Sequence, residues 1–458
     1  MPTRLREFEV TGLFNQFNHR IPLNIEHHIT AILAPNGLGK TVCLKLIEAF
    51  FNKRFSLFRD TIFRTLTFSF TSGEVVVVKR NETTRTIKLR RSNEIQKIAD
   101  IEISYRAPNG TTEKWTPKQP AIPAHRYDLI DRFVPNLSRS GPHTWTDDYT
   151  GEELSIDDVL EQYGAHLPEA FSKSGAANEP PQFQALVSST ECHLIETQRL
   201  LNLASQASES TEFYEHRVRS RDRSRLAVTQ KAEKLVEIIR GTLTESANLS
   251  QTLDRTFPRR VVENRGQGKL SQNEIQLQLN NLDDKRKNLM QLGILDTSFE
   301  SVAIHVGNIE KDVAKVLEIY IEDTSKKLRV FDLLLNRVSL FQELVNERFL
   351  NKRINIERKT GYRLISDRDD DIPLDKLSSG EQHRLILLFE LLFEVQRNSL
   401  ILIDEPELSL HVSWQKSFLD DIDRIIRLND FDVILATHSP QLIGRRYNNL
   451  SVELAPVE

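Results

Sequence analysis

Ala34-Pro-Asn-Gly-Leu-Gly-Lys-Thr41 decides how this 458-residue chain is read. Before it stands an apolar, β-branched stretch, Ile29-Thr-Ala-Ile-Leu, and after it a segment from Lys40 to Lys53 with Val42, Leu46, Ile47 and Phe50 on one helical face. A strand, a glycine-containing turn and a helix form the context of a phosphate-binding loop, whose pattern is G-x-x-x-x-G-K-[ST]. The last four positions match, and Ala34 stands where the first glycine is expected. Gly37 and Gly39 let the backbone wrap so that its N–H groups, at the positive end of the helix, face a phosphate. Lys40 adds a point charge and Thr41 a hydroxyl suited to Mg²⁺. Asn36, Gly37, Leu38, Gly39, Lys40, Thr41 and Val42 are the residues expected around a bound phosphate chain.

Three further segments acquire meaning beside this loop. Leu400-Ile-Leu-Ile-Asp404-Glu405-Pro406 reads as a buried strand ending in two carboxylates. Asp404 can reach Mg²⁺, and Glu405, directed the other way, can position and deprotonate an attacking water. Leu377-Ser378-Ser379-Gly380-Glu381-Gln382 opens a helix whose Leu385, Leu388 and Leu392 form an apolar face. Ser379 suits an N-cap and Gly380 permits close backbone approach, so this helix end can receive a γ-phosphate. Ala436-Thr437-His438-Ser439-Pro440 closes a later strand, where His438 can hydrogen-bond a γ-phosphate or the lytic water. Each of these alone is an ordinary strand end, capped helix or structural histidine; the loop at 34–41 changes their weight.

Composition narrows the class. Hydrophobic residues make up 39% and charged residues 28%, a globular balance. No apolar run approaches the roughly 20 residues of a membrane-spanning helix, and the start of the chain lacks a signal-peptide core, so a cytoplasmic protein without a membrane partner is expected. Cys43 and Cys192 are the only cysteines, which excludes a disulfide scaffold or a cysteine-rich zinc site. With a net charge of −4, contact with DNA has to come from a local basic patch, such as Arg217–Arg225, Arg259-Arg260 or Lys285–Lys287.

Along the chain, strands are predicted near residues 6–11, 19–24 and 29–33, then at Thr65–Phe70, Glu74–Lys79, Thr84–Arg90 and Asp100–Arg106 as an antiparallel meander. Residues 107–190 give little beyond a helix at Ile156–Tyr163. A short strand, His193-Leu-Ile-Glu, precedes long charged helical sequence. Ile309, Val313, Val316, Tyr320, Phe331, Leu334, Val338, Phe341 and Val345 recur three and four apart, as a helical-hairpin seam requires, and Phe257-Pro-Arg-Arg and Arg265-Gly-Gln-Gly mark a bend. After Arg353-Ile-Asn-Ile-Glu-Arg the order becomes helix (379–396), strand (400–403), helix (413–428), strand (432–436), which implies a parallel sheet where both ends of the chain meet. The expected organisation is an α/β head of mixed sheet with an antiparallel β subdomain, divided into residues 1–200 and 346–458, with a helical arm at 201–345. The acidic run Asp367–Asp371 reads as a solvated loop rather than a nuclease centre.

The four motifs, in this order and with a long helical insertion between the first two, resemble the ABC-type ATPase heads of SMC, RecF and overcoming-lysogenization-defect proteins. The resemblance covers roughly 1–200 and 346–458. It implies ATP and Mg²⁺ as ligands, an ATPase reaction, a signature loop at Ser378, Ser379, Gly380 and Glu381, catalytic Glu405, a switch His438, Mg²⁺ contacts from Thr41, Asp404 and Gln198, and a D-loop at Glu407-Leu-Ser-Leu-His411. In such heads the signature loop serves the P-loop of another copy, so a homodimer or higher homo-oligomer joined through the heads is implied. The chain ends about 18 residues after Pro440, without room for the Toprim nuclease of the overcoming-lysogenization-defect enzymes, and the arm lacks the Cys-x-x-Cys of zinc-hook proteins. The expected relatives are therefore stand-alone ATPase subunits of anti-phage systems such as Septu and PARIS, acting with a separate effector, a nuclease or toxin. A RecF-like DNA-repair ATPase is the alternative; a transporter subunit fits the long insertion poorly.

Overall fold

A computed structural model describes residues 3–89, 92–117, 127–134, 137–141, 144–147, 153–163, 179–196, 214–263, 270–295, 310–409, 412–444 and 449–454. The chain divides into two compact units: Met1–Phe213 with Val395–Glu458, and Tyr214–Glu394.

The first unit is built on five parallel strands in the order Cys192–Glu196, Leu400–Asp404, Asp432–Thr437, Ile29–Leu33 and Ser451–Glu453. Every residue of Leu400–Asp404 and Asp432–Thr437 is buried, as strands covered on both faces must be, which is why they read as unbroken apolar runs. Register sets Asp404 opposite Ala436, and Thr437 opposite Leu33. Three adjacent strands therefore end together, and the crevice beyond the carboxyl ends of a parallel sheet is where ligands bind.

An antiparallel sheet lies beside it in the order Phe17–Pro22, Leu5–Leu13, Thr65–Phe70, Val75–Leu89, Ser92–Arg106, Thr112–Trp115. The helix Lys40–Phe51 packs into one core with residues of both sheets: Cys43, Leu44, Leu46 and Ile47 are fully buried, and Phe50 stacks on Phe68 with ring centroids 3.9 Å apart. The meander differs from expectation. Glu74–Lys79 and Thr84–Arg90 belong to a single strand, Val75–Leu89, because Asn81-Glu82-Thr83 holds neither Gly nor Pro to break it and β-branched threonines continue the pattern. A small three-stranded sheet, Leu137–Arg139, Thr144–Asp147 and Glu153–Ser155, has its own core around Trp145 and Tyr127 and carries the expected helix Ile156–Tyr163.

The second unit contains the helices Tyr214–Glu263, Gln272–Gln291, Lys311–Arg329 and Asp332–Asn346, the hairpin Lys352–Glu357/Gly361–Ser366, and the helix Ser379–Phe389, which continues as a π-helical turn, Glu390–Glu394. The first and third helices run antiparallel: Arg260 grips Asp323 with two 2.6 Å hydrogen bonds, and six residues earlier Asp254 meets Lys327 at 2.7 Å. The expected bend at Phe257-Pro-Arg-Arg is absent, since the first helix continues through Pro258. Arg260 also donates to the Leu253 carbonyl at 3.0 Å, in the turn before Pro258. Arg265-Gly-Gln-Gly lies outside the described residues.

The predicted seam is broken too. Phe331, Leu334, Val338, Phe341 and Val345 are buried, but Val313 and Val316 are exposed, and Ile319, Ile321 and Leu328 bury the preceding helix instead. A break at Val330-Phe331 separates two helices with different faces, so the repeat is not one continuous coiled-coil stripe.

Residues 346–394, expected with the head's second lobe, cluster with the helical insertion. The physical cause is the hairpin: the Tyr362 hydroxyl donates to the Val228 carbonyl at 2.7 Å, and Phe341 packs against both Tyr362 and Phe389. Gly361 sits at φ +79, with the Ala232 carbonyl where a Cβ would project. Gly361→Ala is expected to destabilise this unit by about 2 kcal/mol or more, because it adds left-handed strain to a backbone clash. An unchanged melting temperature would show that the hairpin is not held this way.

Among the described residues no helix is long and apolar enough to cross a membrane.

Candidate functional site

Residues 34–41 leave the strand Ile29–Leu33 and enter the helix Lys40–Phe51 through Gly37 and Gly39, both left-handed (φ +91 and +83), as glycine allows without strain. A Cβ on Gly37 would meet nothing, so the loop is open on that side, whereas one on Gly39 would overlap the Leu13 side chain. The helix N-terminus has no side-chain cap, which leaves the N–H groups of its first turn available to an anion. Asn36 and Gly37 are exposed, Leu38 is buried and Val42 half-buried. The loop is buttressed from below by His19, whose Nε2 lies 2.8 Å from the Leu38 carbonyl. Burial pushes the His19 pKa down despite that bond, so the ring is a neutral N–H donor.

Lys40 is buried at the centre. Its ammonium donates to the Ala34 carbonyl at 2.7 Å and the Pro35 carbonyl at 3.4 Å and lies 3.3 Å from Glu405 Oε1. The Thr41 hydroxyl donates to Asp404 Oδ2 at 2.8 Å. A hydroxyl and a carboxylate on adjoining elements make the hard-oxygen pair that Mg²⁺ prefers, so these residues fit the ion.

Glu405 follows the strand end with φ +47, uncommon for a non-glycine residue, and its N–H donates to Ala436 at 2.8 Å. This kink takes the chain out of the sheet just after Asp404. The Glu405 carboxylate meets both Lys40 and His438, whose Nδ1 lies 2.6 Å from Oε2. His438 Nδ1 is also 3.1 Å from Glu407 Oε1. Flanked by two carboxylates, Nδ1 carries the ring hydrogen, an assignment made from the network. Burial pushes Glu405 up, but hydrogen bonds from Glu407 and His438 and the Lys40 charge outweigh it and hold Glu405 below the ordinary range. Burial raises Glu407 and prevails over the hydrogen bond from Thr437. Glu405 is therefore the ionised member, and Glu407 the one that keeps a proton longer.

Sequence reasoning did not find His19, or the inward turn of Glu407. Glu407, the first residue of the expected D-loop, is buried against Thr437, His438 and Ser439. Its only signal was its place two residues after Glu405. Gln198, Leu410 and His411 lie outside the described residues.

The signature segment belongs to the second unit. The N-cap is Ser378, one residue before the expected Ser379, because Glu381 lies three residues on and completes a capping box. Ser378 Oγ accepts from Glu381 N–H, and the Glu381 carboxylate accepts from Ser378 N–H and from Lys352 at 2.7 Å. Burial pushes Glu381 up, but Lys352 and Ser378 hold it below the usual carboxylate range. Glu381 is thus engaged in the cap, leaving Ser379 and Gly380 at the helix opening. Glu381→Ala is expected to cost about 1 kcal/mol at neutral pH. The depressed carboxylate stabilises above its unfolded value near 4.5, so this loss should fade as pH falls through its lower folded value. A thermal unfolding series across pH checks both parts.

A phosphate loop opening a helix, with a Thr–Asp pair and a strand-end glutamate at the carboxyl edge of a parallel sheet, defines the site of a P-loop ATPase. The sequence model of the AAA ATPase domain matches residues 8–443, and the chain belongs to that family. Among solved structures it is similar to the Smc head domain with an extended coiled coil from Pyrococcus furiosus, at 14% identity over 96% of this chain and 91% of that one, TM-score 0.32. It is also similar to the SMC head domain from Thermotoga maritima, at 12% identity over 99% of each chain, TM-score 0.33.

Proposed function

We propose that this chain binds and hydrolyses ATP in a site shared by two copies joined head to head, and that it is the regulatory ATPase of a cytoplasmic bacterial anti-phage system with a separate effector. One observation carries the catalytic part: Lys40, Thr41, Asp404, Glu405 and His438 meet where three neighbouring parallel strands end. The N–H groups of residues 36–42 and the Lys40 ammonium bind the phosphates, and Thr41 and Asp404, with Gln198 by resemblance, hold Mg²⁺. When bound there, Mg²⁺ would supply positive charge that offsets the negative charge of the phosphates. Glu405, ionised and fixed by His438, orients the lytic water and takes its proton. Ser379 and Gly380 of the second copy close on the γ-phosphate with the positive end of their helix.

Phosphate release from Mg²⁺-ATP by the purified chain tests the enzyme. Absence of ATP binding removes the proposal at its base. The effector is tested by co-purification with the product of a neighbouring gene.

Among the described side chains of the arm, which do not include the Arg217–Arg225 cluster, the basic groups offered for DNA contact are ion-paired. Arg259 pairs with Glu263, Arg260 with Asp323, Lys285 with Asp332, Arg286 with Asp283 and Lys287 with Asp284. These cations face acids of the same unit, the solvated, ion-paired pattern of a helical surface rather than a phosphate-binding stripe.

A further inference from the structure

Glu407 stands apart from the residues assigned above. It follows the base by two positions, is buried, and directs its carboxylate at the end of the neighbouring strand. Glu407 Oε1 accepts from the Thr437 hydroxyl, from the His438 N–H at 2.9 Å and from the Ser439 N–H at 3.2 Å. It also lies 3.1 Å from His438 Nδ1. One carboxylate oxygen thus gathers the whole turn Thr437–Ser439, and Thr437 Oγ1 in turn accepts from Ser439 N–H at 2.9 Å. The turn begins where the strand Asp432–Thr437 stops, so no ladder hydrogen bonds beyond Thr437 fix it. Without this acceptor the His438 N–H would lose its partner at the edge of the core, and Ser439 N–H would keep only Thr437 Oγ1.

We propose that Glu407 is a positioning residue for hydrolysis: it pins the switch turn and holds the His438 ring with Nδ1–H toward Glu405. The consequence is directional. With Nδ1 engaged between two carboxylates, Nε2 is the nitrogen left to meet nucleotide or lytic water, and among the described residues it has no hydrogen-bond partner. Glu405 is constrained by the same ring, since the hydrogen that fixes the tautomer also fixes the base. Glu407 touches neither Lys40 nor Thr41 in any described hydrogen bond, so it acts on the geometry of the chemical step and not on phosphate binding. Loosening a positioned group by about 1 Å costs roughly 100-fold in rate.

The inference rests on Glu405 being the base, and the test separates the two. In full-length protein, kcat and KM for Mg²⁺-ATP are measured for Glu407→Ala, Glu407→Gln and Thr437→Val, with Glu405→Gln alongside. Glutamine keeps an acceptor for the turn but replaces the second carboxylate oxygen beside the ring with an NH2; valine removes the Thr437 donor without touching a carboxylate. Glu407→Ala should lower kcat about 100-fold, and Glu407→Gln and Thr437→Val about 10-fold each, with KM and melting temperature of the latter two near wild type. Should Glu407→Ala fail to fold, the other two still decide. Wild-type kcat in Glu407→Gln and Thr437→Val overturns the inference, as does a loss appearing in KM rather than kcat. If instead Glu405→Gln turns over at full rate, the assignment of the base fails, whatever the Glu407 variants do.

Discussion

Glu405→Gln should bind ATP as wild type does and hydrolyse it about 10²–10⁴-fold more slowly, the contribution of a well-placed general base. The structure explains why so small a change is so costly. Glu405 is buried between the Lys40 ammonium and His438 Nδ1, and these contacts keep it ionised against the pull of burial. The amide has nearly the same shape and keeps one acceptor oxygen for Lys40 or His438, so the fold and the phosphate loop should survive. What disappears is proton affinity. Because hydrolysis is the step that opens the proposed head pair, ATP should trap this variant in its closed dimer. Nucleotide titration, single-turnover phosphate release and sedimentation read the three effects separately. Full turnover removes Glu405 from its role.

Lys40→Ala should fail earlier, at binding. The ammonium is held under the loop by the Ala34 and Pro35 carbonyls, so it contributes charge at the point where the loop N–H groups converge. Charge-assisted hydrogen bonds contribute about 1.5–3 kcal/mol each, and losing those to the phosphates should weaken ATP affinity by roughly 100-fold. The same substitution leaves Glu405 without its cation, so residual turnover should be below what the weakened binding alone predicts. Affinity within a few-fold of wild type would mean that Lys40 serves the Glu405 pair and not the nucleotide.

The chemistry of the head was legible because its residues lie in contiguous segments. Gly37, Gly39, Lys40 and Thr41 fall within the eight residues 34–41, and Asp404-Glu405 closes an apolar run whose meaning comes from that loop; short-range patterns of this kind survive without knowledge of the fold. Contacts made across the chain were not legible. His19 reaches Leu38 from another strand, and Glu407 reaches Thr437 thirty residues away, neither with a local pattern to announce it. The N-cap was misplaced by one residue because two adjacent serines suit the position equally and only the partner Glu381 distinguishes them. In the insertion, periodicity located the helices but not their limits. Pro258 is tolerated where Arg260 and Asp323 hold the helix end, and the apolar repeat crosses a break at Phe331 without changing period. Residues 346–394 joined the arm because the lock on Ala232 and Val228 is made by Gly361 and Tyr362, whose partners lie about 130 residues earlier.

If hydrolysis takes place in a crevice made by two copies, the rate per chain depends on chain concentration, which is read with particle mass in the same samples. The rate should fall away as samples dilute to the 52.9 kDa of one chain and climb to a plateau as ATP-bound particles reach twice that mass. A rate per chain that stays at its full value in samples containing only single chains would contradict it.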